Sequence, residues 1–152
     1  MPSTSSVTTK AAELLLVEDN PHDLELTLRA LRQNNVSNPV FVVRDGAEAL
    51  DFIFSRGNYA RDERARSLKV IVLDLKLPKV DGLELLRTIK TDERTRLIPV
   101  VVLTSSREDR DILQSYLRGA SSYVVKPVEF DKFAYAVSEV VRYWLLLNQP
   151  PQ

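Results

Sequence analysis

Short apolar runs alternate with longer stretches of helical period along this chain, five times over. Leu14–Val17 is an unbroken apolar run with a polar stop, the pattern of a strand buried on both faces. Residues 22–33 follow with Leu24, Leu28 and Leu31 at helical spacing. Val40–Val43 comes after Pro39, and 46–55 carry Ala47, Leu50, Ile53 and Phe54 on one stripe. Val70–Leu73 precedes a helix over 83–90 with Leu83, Leu86 and Ile89 on one face. Ile98–Leu103 is the most apolar strand, followed by 108–117 with Ile112, Leu113, Tyr116 and Leu117. Tyr123–Val125 leads into a long helix over 129–147. Strands that alternate with helices of this length pair in parallel through right-handed crossovers. The expected fold is therefore α/β, a five-stranded parallel sheet with helices on both faces. One connection is long: residues 55–67 are charged and aperiodic and read as a solvated loop, with Gly57 stopping the helix before it and Tyr59 as half-exposed packing.

Composition narrows the chemistry. At 152 residues the chain fits one domain. Lys plus Arg and Asp plus Glu both number 21, so no polyanion-binding surface is indicated. There is no cysteine and a single histidine, which excludes disulfides and thiolate or histidine metal sites. His22, just after Pro21 in the first turn of a predicted helix, reads as an ordinary exposed residue. No apolar run is long enough for a membrane span, and "MPSTSSVTTK" lacks the apolar core of a signal peptide. The expected compartment is the cytoplasm.

The strand ends carry the candidate chemistry, because open parallel sheets bind ligands beyond the carboxyl ends of their strands. The first strand ends in Glu18 and Asp19, the third in Asp74, the fourth in Thr104, Ser105 and Ser106, and the fifth in Lys126. The second ends in "RDG", a helix start capped by Asp45. Taken singly, Glu18 and Asp19 could open a helix, Asp74 could serve a turn before Pro78, Thr104 to Ser106 could cap the next helix, and Lys126 could be any surface lysine. If the first and third strands are neighbours, three carboxylates converge, and like charges that close need a counter-charge. A Mg²⁺ ion with oxygen ligands and retained waters supplies it, and Lys126 adds a fixed positive charge. A carboxylate in such a pocket can take a phosphoryl group.

The set "VEDN", "LDLKLPKVDG", "VVLTSS" and "YVVKP", in that order and at those intervals, resembles the receiver domain of bacterial two-component response regulators, over residues 13–147. The resemblance implies a flavodoxin-like (CheY-like) sheet of order 2-1-3-4-5. It implies Asp74 as the phosphorylated aspartate, Asp19 as a direct Mg²⁺ ligand, Glu18 as the outer-shell acid and the backbone carbonyl of Lys76 completing the metal site. Thr104 is then the switch hydroxyl, Tyr123 the switch aromatic, and Lys126 the partner of a phosphoryl oxygen. Pro127 is expected to follow a cis bond. Residues 1–11 read as a disordered lead-in, 12–148 as the receiver and 149–152 as a tail. The loop 55–67 and the ending "VVRYWLLLNQPPQ" are similar to small single-domain regulators paired with cyanobacterial phytochrome histidine kinases, so a kinase of that type is the expected partner and no output domain is expected. Two rivals lack their signatures. A haloacid-dehalogenase-type phosphatase needs an acid two residues after the nucleophile, where this chain has Lys76, and a dinucleotide-binding module needs a glycine-rich loop after the first strand, where it has "VEDNPHD". A degenerate, purely scaffolding receiver is opposed by the intact set of Asp19, Asp74, Thr104 and Lys126. The chain is expected to be a switch rather than a metabolic enzyme.

The final helix carries more apolar surface than one core face needs. Phe130, Phe133, Ala134, Val137, Val140, Val141 and Trp144 form a stripe, while Tyr135, Tyr143, Leu146 and Leu147 fall off it. The expectation is a symmetric homodimer built on Tyr135, Tyr143 and Leu146.

Overall fold

A computed structural model describes residues 11–151. Except for Ala11, the lead-in expected over 1–11 lies outside the described residues, as does the tail residue Gln152. Five strands, β1 (Leu14–Val17), β2 (Val40–Val43), β3 (Val70–Leu73), β4 (Val100–Thr104) and β5 (Ser122–Val125), form one parallel sheet of order β2-β1-β3-β4-β5. Five helices connect or follow them: α1 (Pro21–Gln33), α2 (Gly46–Ile53), α3 (Gly82–Thr91), α4 (Asp109–Leu117) and α5 (Phe130–Arg142). β4 begins two residues later than its apolar run, after Pro99, whose carbonyl accepts from the Ile71 amide.

The period of two in the strands sorts their side chains into two cores. Leu15, Val17, Ile71, Leu73, Val100 and Val102 face α2 and α3, meeting Phe52, Leu85, Leu86 and Ile89. Leu14, Leu16, Val70, Val72, Val101 and Leu103 face α1 and α5, meeting Leu24, Leu31, Phe133, Val137 and Val141. β1, β3 and β4 are buried along their whole length. Their ends therefore emerge together at one edge of the sheet.

Three local features differ from expectation. Ser55, at φ 54°, ends α2 rather than Gly57: its N–H donates to the Phe52 carbonyl and the Arg56 N–H to the Asp51 carbonyl, the paired bonds of a Schellman cap. Residues 55–67 contain two 3₁₀ turns, Gly57–Tyr59 and Arg64–Ser67. Tyr59 meets the Phe41 and Phe52 rings edge-on, and the Arg64 guanidinium lies 4.6 Å over Phe41. The Tyr59 hydroxyl donates to Glu48 at 2.6 Å, and burial together with that carboxylate pushes the phenol up to about 12. A charged, aperiodic stretch thus closes over the edge of the sheet through two side chains whose contacts are distant in sequence. Finally, α5 ends at Arg142 and the chain continues as a wider π turn, Tyr143–Leu147, which brings Leu145 into the core beside Val141.

Two glycines fix the loop that follows β3. A Cβ on Gly82 would stand 2.5 Å from the Leu75 Cα and 2.8 Å from the Asp74 carbonyl oxygen. One on Gly46 would stand 2.4 Å from the Val80 carbonyl oxygen. Both obstacles are backbone and cannot rotate away. Gly82→Ala is therefore expected to cost on the order of 3 kcal/mol, read as a lower urea midpoint; an unchanged midpoint would mean that the loop yields freely.

Candidate phosphoryl-acceptor site

Backbone pairing sets the site at the strand ends. The Asp74 N–H donates to the Val17 carbonyl at 3.1 Å, which places Asp74 beside Glu18 across the β1–β3 seam. The Lys126 N–H donates to the Thr104 carbonyl at 2.8 Å across the β4–β5 seam. Asp74, Glu18, Thr104 and Lys126 are all buried. The Lys126–Pro127 bond is trans, as is every peptide bond among the described residues, against the cis bond expected from the resemblance. Trans is the ordinary preference of an X–Pro bond, and with it the Lys126 ammonium reaches the carboxylates of Glu18, Asp23 and Asp74.

The Lys126 ammonium donates to Asp74 Oδ2 at 2.7 Å, Glu18 Oε1 at 2.7 Å and Asp23 Oδ2 at 2.8 Å. Asp74 Oδ1 accepts from the Lys76 N–H at 3.2 Å, and Glu18 Oε2 accepts from the Asn20 N–H at 3.1 Å. Burial opposes the charge on Lys126, but its hydrogen bonds to Asp23, Asp74 and Glu18 outweigh that and hold its pKa above the ordinary lysine value. Burial pushes the Glu18 carboxyl up to about 7; Lys126 pulls against this, and the charge of Asp74 adds to it. Asp19, by contrast, is exposed at the rim.

Asp23 is a member of this cluster that the sequence did not reveal as one. Its position in the first turn of α1 has an ordinary reading, an acid at the positive end of a helix. Only the fold brings it to Lys126, which lies more than a hundred residues away.

On the β4 side, Thr104 Oγ1 accepts from the Ser106 N–H at 3.4 Å, and the Tyr123 hydroxyl donates to the Ser106 carbonyl at 3.0 Å. Ser106 Oγ donates to Asp111 on α4 at 2.6 Å and accepts from the Glu108 N–H. Burial raises the pKa of the Tyr123 phenol, while its bond to Ser106 lowers it. One short loop thus ties Thr104, Tyr123 and the start of α4 together. His22 is exposed and takes no part. Asp45 caps α2 by accepting from the Glu48 N–H at 2.7 Å, as the sequence predicts.

Away from the strand ends, two surfaces carry apolar side chains. Leu113, Tyr116 and Leu117 of α4 are exposed, and only Ser115 of that helix is buried. Tyr135 is 69% exposed on α5, and Tyr143, Leu146 and Leu147 are 49%, 64% and 75% exposed on the π turn. No helix among the described residues is long and apolar enough to cross a membrane.

The acid donors are hard oxygens suited to Mg²⁺ or Mn²⁺. Among the described residues they do not close into a cage of three or more acidic or imidazole groups, and an ion at the rim would complete its shell with water and backbone oxygen.

The model of the response regulator receiver domain matches residues 14–138. The probable methanogenesis regulatory protein FilR2 of Methanothrix harundinacea is 41% identical over 91% of this chain and 86% of its own length. Response regulator Rcp1 of Synechocystis is 34% identical over 87% of this chain and 88% of its own. The crystal structure of the Mn²⁺-bound form of Rcp1 superposes with a TM-score of 0.84 at 33% identity, over 93% of this chain and 99% of that one. The phosphorylated cyanobacterial phytochrome response regulator RcpA gives 0.85 at 37% identity, over the same shares of the two chains. The bacteriophytochrome response regulator AtBRR is 51% identical over 92% of this chain and 99% of its own, with a TM-score of 0.72. A sheet of order 2-1-3-4-5, an acid pocket closed by a lysine and these matches agree, and the chain belongs to the response regulator receiver domain family.

Proposed function

We propose that residues 12–148 act as a response regulator that accepts a phosphoryl group on Asp74 from the phosphohistidine of a sensor histidine kinase, in a Mg²⁺-dependent step, and changes its protein contacts in response. The observation that carries this reading is the buried Lys126 ammonium bonded to both Asp74 and Glu18 at the ends of three strands. In the transfer, a carboxylate oxygen of Asp74 attacks phosphorus. The phosphorus–nitrogen bond breaks with its electron pair left on the imidazole, which departs neutral when its other ring nitrogen carries a proton. Asp19, Asp74, the carbonyl of Lys76 and Glu18 would hold the metal. The bound ion supplies positive charge for the phosphoryl oxygens. Lys126 trades its bond to Asp74 for one to a phosphoryl oxygen, and Thr104 donates its hydroxyl to another. Because the Thr104 and Tyr123 bonds meet on Ser106, movement of Thr104 is felt at Tyr123 and at the start of α4, a two-state element that phosphorylation biases. With Lys76 in place of a second acid, turnover beyond slow self-dephosphorylation is not expected, and the chain is a switch acting in the cytoplasm.

The likeness to RcpA and AtBRR supports a phytochrome-type kinase as the partner. Labelling of the wild type and of Asp74→Asn with acetyl phosphate and Mg²⁺, followed by intact mass, tests the acceptor. Phosphotransfer from a phytochrome-type kinase, measured beside other kinases, tests the partner.

The same reading includes a symmetric homodimer through the last helix. Tyr135, Tyr143 and Leu146 stand exposed along α5 and the π turn beyond it, and a helix apolar on two faces usually buries both. A stable interface would bury on the order of 1,200–2,000 Å². Light scattering at micromolar concentration is expected to give a dimer mass, and Tyr143→Asp a monomer mass. A monomer for the wild type, with and without phosphorylation, would remove the dimer; a dimer indifferent to Tyr143→Asp would move the interface elsewhere.

A further inference from the structure

We infer that Asp23 is a positioning residue for Lys126, holding the ammonium from the solvent side while its bond to Asp74 is exchanged for one to an incoming phosphoryl group. This rests on the reading of Asp74 as the acceptor.

An ammonium has three N–H donors, and Lys126 directs them to three carboxylates: Glu18, Asp23 and Asp74. The side chains of Lys126, Glu18 and Asp74 are 6%, 4% and 10% exposed, whereas that of Asp23 is 27% exposed. Asp23 is therefore the outer wall of the lysine's cage. Exposed ion pairs contribute little because water competes for both partners, but here one partner is a buried cation with no donor left over.

The start of α1 is arranged to free Asp23 for this contact. An acid three residues after an N-cap commonly turns back to the N-cap's own N–H, forming a capping box. Asn20 is the N-cap, and its side chain accepts from the Asp23 N–H at 3.0 Å. The N–H of Asn20, however, is already taken by Glu18 Oε2. The Asp23 carboxylate thus has no capping task, and it reaches across to Lys126. Because the cap uses the backbone N–H of Asp23, removing the side chain leaves the cap intact.

When Asp74 becomes an acyl phosphate, its carboxylate charge is lost and the phosphoryl oxygens become the stronger acceptors. Lys126 must then release one bond and make another. With Glu18 and Asp23 retaining two of its donors, the third changes partner without the ammonium swinging into water. Without Asp23, that end of the lysine is held from one side only, and a misplaced charge lowers the rate of transfer.

The test uses acetyl phosphate and Mg²⁺ on the full chain, timed by intact mass, with Asp23→Ala, Asp23→Glu, Lys126→Ala and the double variant. Asp23→Ala is expected to lower the maximal labelling rate roughly tenfold with a smaller change in the half-saturating Mg²⁺ concentration. Asp23→Glu should recover part of the loss, and Asp23→Ala should have no further effect once Lys126 is absent. Equal losses in the wild-type and Lys126→Ala backgrounds, or no loss in Asp23→Ala, would overturn the inference. If Lys126→Ala labels too slowly to time, proton exchange of the Lys126 ammonium, followed by NMR, decides instead. It should quicken in Asp23→Ala and recover in Asp23→Glu, and unaltered exchange would overturn the inference. A wild type that takes no phosphoryl group refutes the acceptor reading itself, an outcome separate from both.

Discussion

Incubated with acetyl phosphate and Mg²⁺, the wild-type chain is expected to gain one phosphoryl group, and Asp74→Asn none. Asn keeps the shape of the side chain and its place beside Lys126, but a neutral amide oxygen lacks the charge that makes the carboxylate a nucleophile. The initial rate should fall by at least about two orders of magnitude. Asp19→Ala should produce a loss of similar direction for another reason: it removes the carboxylate proposed as a metal ligand at the exposed rim and leaves the Lys126 bonds untouched. Omission of Mg²⁺ should therefore abolish labelling in the wild type and change little in Asp19→Ala. Equal labelling of wild type and Asp74→Asn, mapped by peptide mass to another acid, would sink the assignment. Labelling of Asp19→Ala at the normal rate would sink the metal half alone.

Much of the fold was legible because its buried strands are unbroken apolar runs. Leu14–Val17, Val40–Val43 and Val70–Leu73 stand as strands where the sequence predicts them. What periodicity could not show falls into two kinds. One is local backbone chemistry. Ser55 took the left-handed cap position usually given to glycine because the Schellman bonds satisfy the α2 carbonyls. The wide turn after Arg142 turned Leu145 inward by adding a residue to the helical repeat. The other is contact between residues distant in the chain. Arg64 and Tyr59 look like members of a charged loop until Phe41 and Phe52 are beside them. Glu18, Asp74 and Lys126 stand at strand ends and could be gathered from the sequence once the strands were ordered. Asp23 sits inside a helix, where an acid in the first turn already has a local reason to be present, and nothing in its spacing points across the sheet.

The largest stability effect is expected from Lys126→Met. Methionine keeps most of the length and volume, so the change isolates the charge. The metal-free variant leaves Glu18 and Asp74 buried without their cation, and breaking a buried pair in this way costs on the order of 3–5 kcal/mol. The cost should depend on pH with a definite sign. The folded-state pKa of Glu18 already stands near 7, above its ordinary 4.5, because burial disfavours the charged form. The folded state therefore binds this proton more tightly than the unfolded state does. Stability from this group is fully present below about 4.5, falls as pH rises toward about 7, and is level above it. Without Lys126 the pull that opposes burial is gone, so the decline should extend to higher pH. Mg²⁺ should reverse part of the loss, because an ion that binds only the folded state contributes about 2.7 kcal/mol at a hundredfold excess over its Kd. Urea unfolding followed through Trp144, the one tryptophan of the chain, at pH 5 and pH 8 with and without Mg²⁺, reads all three effects at a fixed protein concentration. A variant as stable as the wild type at pH 8 would show that the carboxylates do not need the ammonium. One that is unstable but indifferent to both protons and Mg²⁺ would show that Lys126 acts through packing, and the charge balance assigned to this pocket would fall with it.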